Sequence, residues 1–142
     1  MKEDIREFLI DDKLGIKTTG RNDEFSDSFR YPYEPTTYSV LDRIAEEGYI
    51  TKQDHLVDYG SGKGRVPIYM NYLTGCKATG IEMIPEFIEL ANRNKASYEK
   101  GDIDFICESA EKWEVDDEIT CCFFFNPFSI KIMLRVINRI LA

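Results

Sequence analysis

The stretch whose reading decides the fold is Leu56-Val57-Asp58-Tyr59-Gly60-Ser61-Gly62-Lys63-Gly64-Arg65. An apolar strand ends in an acidic residue, and glycine then takes every second position up to the start of a helix. Each glycine has its own physical reason. Gly60 lets the chain turn sharply out of the strand. Gly62 removes a side chain where a ligand must approach the backbone, and Gly64 allows a helix to pack closely on a strand. The spacing excludes two familiar loops. A phosphate loop of the form G-x-x-x-x-G-K-[ST] fails because Lys63 is followed by Gly64. A dinucleotide loop G-x-G-x-x-G, counted from Gly60, would put its third glycine at Arg65.

Outward from this turn, strands and helices alternate. Periodicity and end signals predict strands over 55–59, 77–81, 103–107 and 120–125, and helices over 37–47, 66–73, 85–95 and 130–141. Pro85 sits where a helix tolerates it, at the first position. Such alternation implies an α/β domain with a parallel sheet and helices on both faces. The run from Cys121 to Phe125 is apolar at every position, as in a strand covered on both sides. The last helix carries apolar residues around half its circumference or more, so it is expected to bury two sides, or to belong to a chain that continues and covers the second. Residues 1–35 differ in character. They form an N-terminal arm or lid with a short helix over 4–9, and residues 36–142 form the domain proper.

Composition narrows the function. The chain has 142 residues, 43% of them hydrophobic, which suits one compact domain with a real core. A net charge of −8 argues against general nucleic-acid binding, which needs a basic surface. The first ten residues alternate charged and apolar residues, with no signal-peptide core and no membrane-length apolar stretch in the chain, so a cytoplasmic protein is expected. The four cysteines, Cys76, Cys107, Cys121 and Cys122, form no C-x-x-C pair, and His55 is the single histidine. No metal site is expected, and the cysteines are read as reduced, buried, small apolar residues.

Three further segments stand at strand ends. Glu82 lies two dozen residues past Asp58 and suits acceptance of two ribose hydroxyls, with Met83 beside it. Glu108, Ser109 and Ala110 follow the third strand, and Phe125-Asn126-Pro127-Phe128 follows the fourth. Asn126 or Ser129 could equally cap the final helix. Aromatics cluster in Tyr31-Pro32-Tyr33-Glu34-Pro35-Thr36-Thr37-Tyr38.

Taken together, acidic-x-G-x-G-x-G, the Thr79-Gly80-Ile81-Glu82-Met83 segment and Asn126-Pro127-Phe128 resemble the class I, Rossmann-like methyltransferases dependent on S-adenosylmethionine (SAM), in a small bacterial form. The resemblance covers residues 36–141. It implies SAM as cofactor, held by Tyr38, Asp58, Gly60, Ser61, Gly62, Gly64, Glu82, Met83, Ser109, Ala110 and Asn126. It also implies Asn126, Pro127 and Phe128 as the catalytic residues. The family carries an acid where this chain has Ser109, and a second proline where it has Phe128. Its sheet has seven strands, and four are expected here, so the resemblance implies a truncated chain or one completed by a partner. The fourth strand would be an open edge, and self-association as a homodimer is expected there. The implied reaction is methyl transfer to an amine of a small molecule or protein. Two alternatives stand beside it: an inactive SAM-binding module, and a domain of the same architecture for another nucleoside ligand such as a nicotinamide cofactor.

Overall fold

A computed structural model describes residues 2–21, 33–125 and 128–142, with side chains from Ile5 onward. The elements in order are α1 (Lys2–Leu14), α2 (Tyr38–Glu46), β1 (His55–Tyr59), α3 (Arg65–Thr74), β2 (Lys77–Glu82), α4 (Pro85–Tyr98), β3 (Ile103–Cys107), β4 (Cys121–Phe124) and α5 (Ile130–Leu141). The strands form one sheet in the order β3-β2-β1-β4, and every pairing is parallel. The register sets Asp58 opposite Gly80 on one side and Phe123 on the other. All four carboxyl ends therefore open on the same edge. The strand order reverses at β1, which is where an open α/β sheet leaves a crevice for ligands.

Side-chain alternation along β1 separates two cores. Leu56 joins Leu41 of α2, Ile68 and Met70 of α3, Tyr98 of α4 and Ile103 on one face. Val57 and Tyr59 point the other way, to Ile81, Phe128 and the α5 residues Ile132 and Val136. Burying each such side chain contributes about 1.5–3 kcal/mol, so the two-sided burial of β1 fixes its register.

Several expectations change. The first helix is longer than 4–9 because Asp11 and Asp12 do not end it; Gly15, at φ 75, does. Leu14 and Ile16 enter the main core, so the start of the chain packs as part of the domain, and no packing boundary falls at residue 35. The apolar run of β4 is not covered on both sides. Among the described residues it pairs only with β1, and Cys122 is exposed. Likewise α5 buries Ile132 and Val136, while Ile130, Leu134 and Leu141 remain exposed. Of the cysteines, all free, only Cys76 is buried. No helix among the described residues is long and apolar enough to cross a membrane.

Candidate functional site

The site begins where β1 ends. Gly60, at φ 80, turns the chain across the end of β2, and the N–H groups of Gly60 and Ser61 both donate to the Ile81 carbonyl, at 2.8 and 3.0 Å. Gly64, at φ 93, is the N-cap of α3. A Cβ there would lie 2.6 Å from the Phe105 ring, so this glycine serves the close packing expected of it. Gly80 has an equally specific role. A Cβ on it would meet the Ser61 hydroxyl at 2.5 Å and Phe105 at 2.7 Å, so β2 carries glycine where the turn folds over it.

Glu82 is the hinge between turn and sheet. One carboxylate oxygen accepts from the Gly62 N–H at 2.9 Å, and the other accepts from the Ile84 N–H at 3.1 Å. Charge-assisted bonds of this kind fix the carboxylate in place. Asp58 lies close by and is buried, at 4% exposure. Burial, and then the like charge of Glu82, push its carboxyl up to about 8. The Ser61 hydroxyl is buried with no hydrogen-bond partner among the described residues. A buried carboxyl with a raised pKa and an orphaned hydroxyl together suit a polar ligand carrying a cation.

These groups share one cavity of about 430 Å³. Its floor is Asp58, Gly60, Ser61, Gly62 and Glu82, with Met83, Ile84 and Phe87 on the β2 side. Glu108, Ser109, Ala110 and Glu111 follow β3 into the wall, and Phe123, Phe125, Phe128 and Ile132 form the β4 side. Arg21 and residues 33–36 cross the mouth. One cavity thus joins a polar half at β1 and β2 to an aromatic half at β4.

Most of the expected site residues come together here, with two exceptions. Tyr38 is fully buried in the core and does not line the cavity. Its hydroxyl donates to Asp11 and its N–H to Glu7, so α1 claims it. Gly64 stands behind the wall, against Phe105. Asn126 and Pro127 lie outside the described residues. Ser129 is the cap of α5, accepting from the Ile132 N–H. Ser109 lines the cavity, and its hydroxyl accepts from the Glu111 N–H at 3.2 Å, which ties it to its own turn.

The structure also gives roles to residues that the sequence left without one. The space left by Gly62 is filled by the ring of Tyr33. Arg65, Glu111, Phe123 and Ile132 line the cavity as well. Only the Gly-Arg junction hinted at Arg65. The others needed the topology, because they come from β4, α5 and the link before β4. His55 stays apart, as expected of the amino end of β1. Its ring Nε2 lies 2.7 Å from the Thr79 hydroxyl, and burial lowers its pKa.

A parallel sheet with a glycine turn, a strand-end acid and a cavity at its switch point defines a nucleoside-binding α/β domain. Residues 56–142 match the methyltransferase domain family, and the chain belongs to that family. Among solved structures it is similar to an RNA methyltransferase from Salinibacter ruber in complex with S-adenosyl-L-homocysteine. The two share 28% identity over 64% of this chain and 60% of that one, with a TM-score of 0.59. It shares the fold of a SAM-dependent methyltransferase from Thiobacillus denitrificans, also in complex with S-adenosyl-L-homocysteine. That likeness has 19% identity over 75% of this chain and 45% of that one, with a TM-score of 0.64. The chain matches 45% to 60% of the length of these two proteins. No curated protein matches it.

Proposed function

We propose that this domain binds SAM and transfers its methyl group to an amine of a small molecule or protein. The observation that carries the reading is the Glu82 carboxylate. It is held by the Gly62 and Ile84 N–H groups at the floor of a cavity that also contains Asp58 and the unpartnered Ser61 hydroxyl. Those residues fit the cofactor. Glu82 would accept from ribose hydroxyls, Asp58 and Ser61 would take the polar amino-acid end, and Met83 would pack beside the base. When bound, SAM supplies an electrophilic methyl group on a sulfonium, and the reactivity is its own. Approach geometry is left to the protein.

The acceptor would lie in the aromatic half. Phe125 and Phe128 line that half, and Glu34 and Glu108 line the same cavity, while Glu111 there is paired with Arg135 at 3.0 Å. Such a lining would suit the ammonium product, and the amine itself must enter unprotonated, since an ammonium has no lone pair to take the methyl group. No histidine reaches the cavity, since His55 sits at the opposite end of β1, so an acceptor needing no strong base fits best. Within this reading, Asn126, Pro127 and Phe128 guide the amine, and Arg21, Tyr33 and Glu34 of the N-terminal arm close the mouth. Four free cysteines fit a reducing, cytoplasmic setting.

Among the described residues β4 pairs only with β1, which favours one variant of this reading. The domain would bind SAM alone but act only once a strand of a second copy or another partner pairs with β4. The test of both is a methyl-transfer assay that follows S-adenosylhomocysteine release with a panel of small amines and lysine-containing peptides. Turnover with an amine is the expected result. Turnover with RNA and with no amine would contradict the proposal. Activity rising more steeply than enzyme concentration would favour the paired form.

A further inference from the structure

We infer that Arg65 and Tyr33 are positioning residues that strap the start of the chain across the glycine turn and so retain the bound ligand, an inference that rests on the SAM reading of the site. Arg65 is the first residue of α3, directly after the turn, and its side chain is 2% exposed. Its guanidinium donates to Glu7, to the Thr18 hydroxyl at 2.8 Å, to the Thr19 hydroxyl at 2.8 Å and to the Thr36 carbonyl at 3.0 Å. Asp11 lies 3.8 Å away and accepts from the N–H and hydroxyl groups of both threonines. One planar fork thereby gathers α1, residues 18–19 and residue 36. Lysine, a point charge with three donors, cannot reproduce that pattern.

The strap reaches the ligand site through Tyr33. Its hydroxyl donates to the Thr18 carbonyl at 2.6 Å. Its ring occupies the place of the missing Gly62 side chain, 5.3 Å from the Phe87 ring and under the Lys63 ammonium at 4.6 Å. Gly62 in turn donates to Glu82. A continuous path therefore runs from Arg65 through Thr18, Tyr33 and Gly62 to the proposed ribose acceptor. Both Arg65 and Tyr33 also line the cavity, so the strap forms part of its wall.

A purely structural role would alter melting and leave ligand kinetics alone. The test measures S-adenosylhomocysteine affinity, dissociation rate and melting temperature for the full chain and for Tyr33→Phe, Tyr33→Ala and Arg65→Lys. Tyr33→Phe keeps the ring and loses one hydrogen bond. We expect about 3- to 10-fold weaker binding, through faster dissociation, with melting lowered by no more than a few degrees. Tyr33→Ala should lose more. Arg65→Lys should weaken binding in the wild type and add little on top of Tyr33→Phe, since both act along one path. Should Arg65→Lys fail to fold, the two Tyr33 variants still decide. Wild-type affinity and dissociation in both Tyr33 variants would overturn the inference. Absence of binding by the wild type would overturn the SAM reading itself, and the strap with it.

Discussion

The two halves of the cavity are built differently. At the ends of β1 and β2, backbone N–H groups fix the polar frame: Gly60 and Ser61 are tied to Ile81, Glu82 is tied to Gly62 and Ile84, and Asp58 is buried close by. At β4 the wall is aromatic, belongs to an edge strand, and carries Phe125 at 42% exposure. A site preorganised by backbone hydrogen bonds suits a ligand of constant structure, as a cofactor is. An apolar wall at a sheet edge suits a variable partner. The difference teaches where mutations should separate cofactor affinity from acceptor use.

The largest separation is expected from Glu82→Ala. The bonds from Gly62 and Ile84 exist with or without ligand, so their loss lowers stability. What binding loses is the charge-assisted bonds from two ribose hydroxyls, about 1.5–3 kcal/mol each, so S-adenosylhomocysteine affinity should fall by about 100-fold or more. Calorimetry reads this directly, and a change of only a few-fold would break the assignment of the polar half. Next comes pH. The Asp58 carboxyl stands at about 8 in the folded domain against 3.8 ordinarily. Between those values the folded state holds a proton that the unfolded chain has released. Stability therefore falls as pH rises from 3.8 to about 8 and levels off above it. A ligand ammonium favours the carboxylate. Affinity should thus climb by up to about tenfold per pH unit toward pH 8, with proton release on binding. Asp58→Asn should flatten both profiles.

Smaller effects sharpen the aromatic side. Phe125→Ala should raise the acceptor KM several-fold and leave S-adenosylhomocysteine affinity within about twofold, because its ring is partly exposed and stands on the β4 wall. Equal losses on both ligands would mean that the two halves are not separable. Smallest of all is His55→Gln. His55 contacts Thr79 and Thr120 at the far end of the sheet, so turnover should stay within about twofold at all pH values.

Legibility in the sequence followed the same division. The bounds of β1, β3 and α5, and the parallel order of the sheet, could be read because strand and helix periods and the Pro85 and Ser129 start signals are local. The polar half of the site was equally legible, since Asp58, the glycine turn and Glu82 follow strand ends that local pattern defines. What escaped depends on distant partners. Helix α1 runs past residue 9 because Asp11 is held by Thr18, Thr19, Tyr38 and Arg65, partners that local sequence does not show. Tyr38 was placed with the ligand for want of the same knowledge. Gly62 was read as clearance for a ligand, and Tyr33, far off in sequence, fills that clearance. The apolar run of β4 suggested a covered strand because hydrophobicity records what a strand is suited to pack against, whatever is paired with it.

The most direct test of the polar half as a SAM site is a crystal structure of the chain grown with S-adenosylhomocysteine at pH 8. The expected density places the ribose hydroxyls on the Glu82 carboxylate, with the amino-acid end over Asp58 and Ser61. Nucleoside density elsewhere in the cavity, or none at saturating ligand, would contradict it.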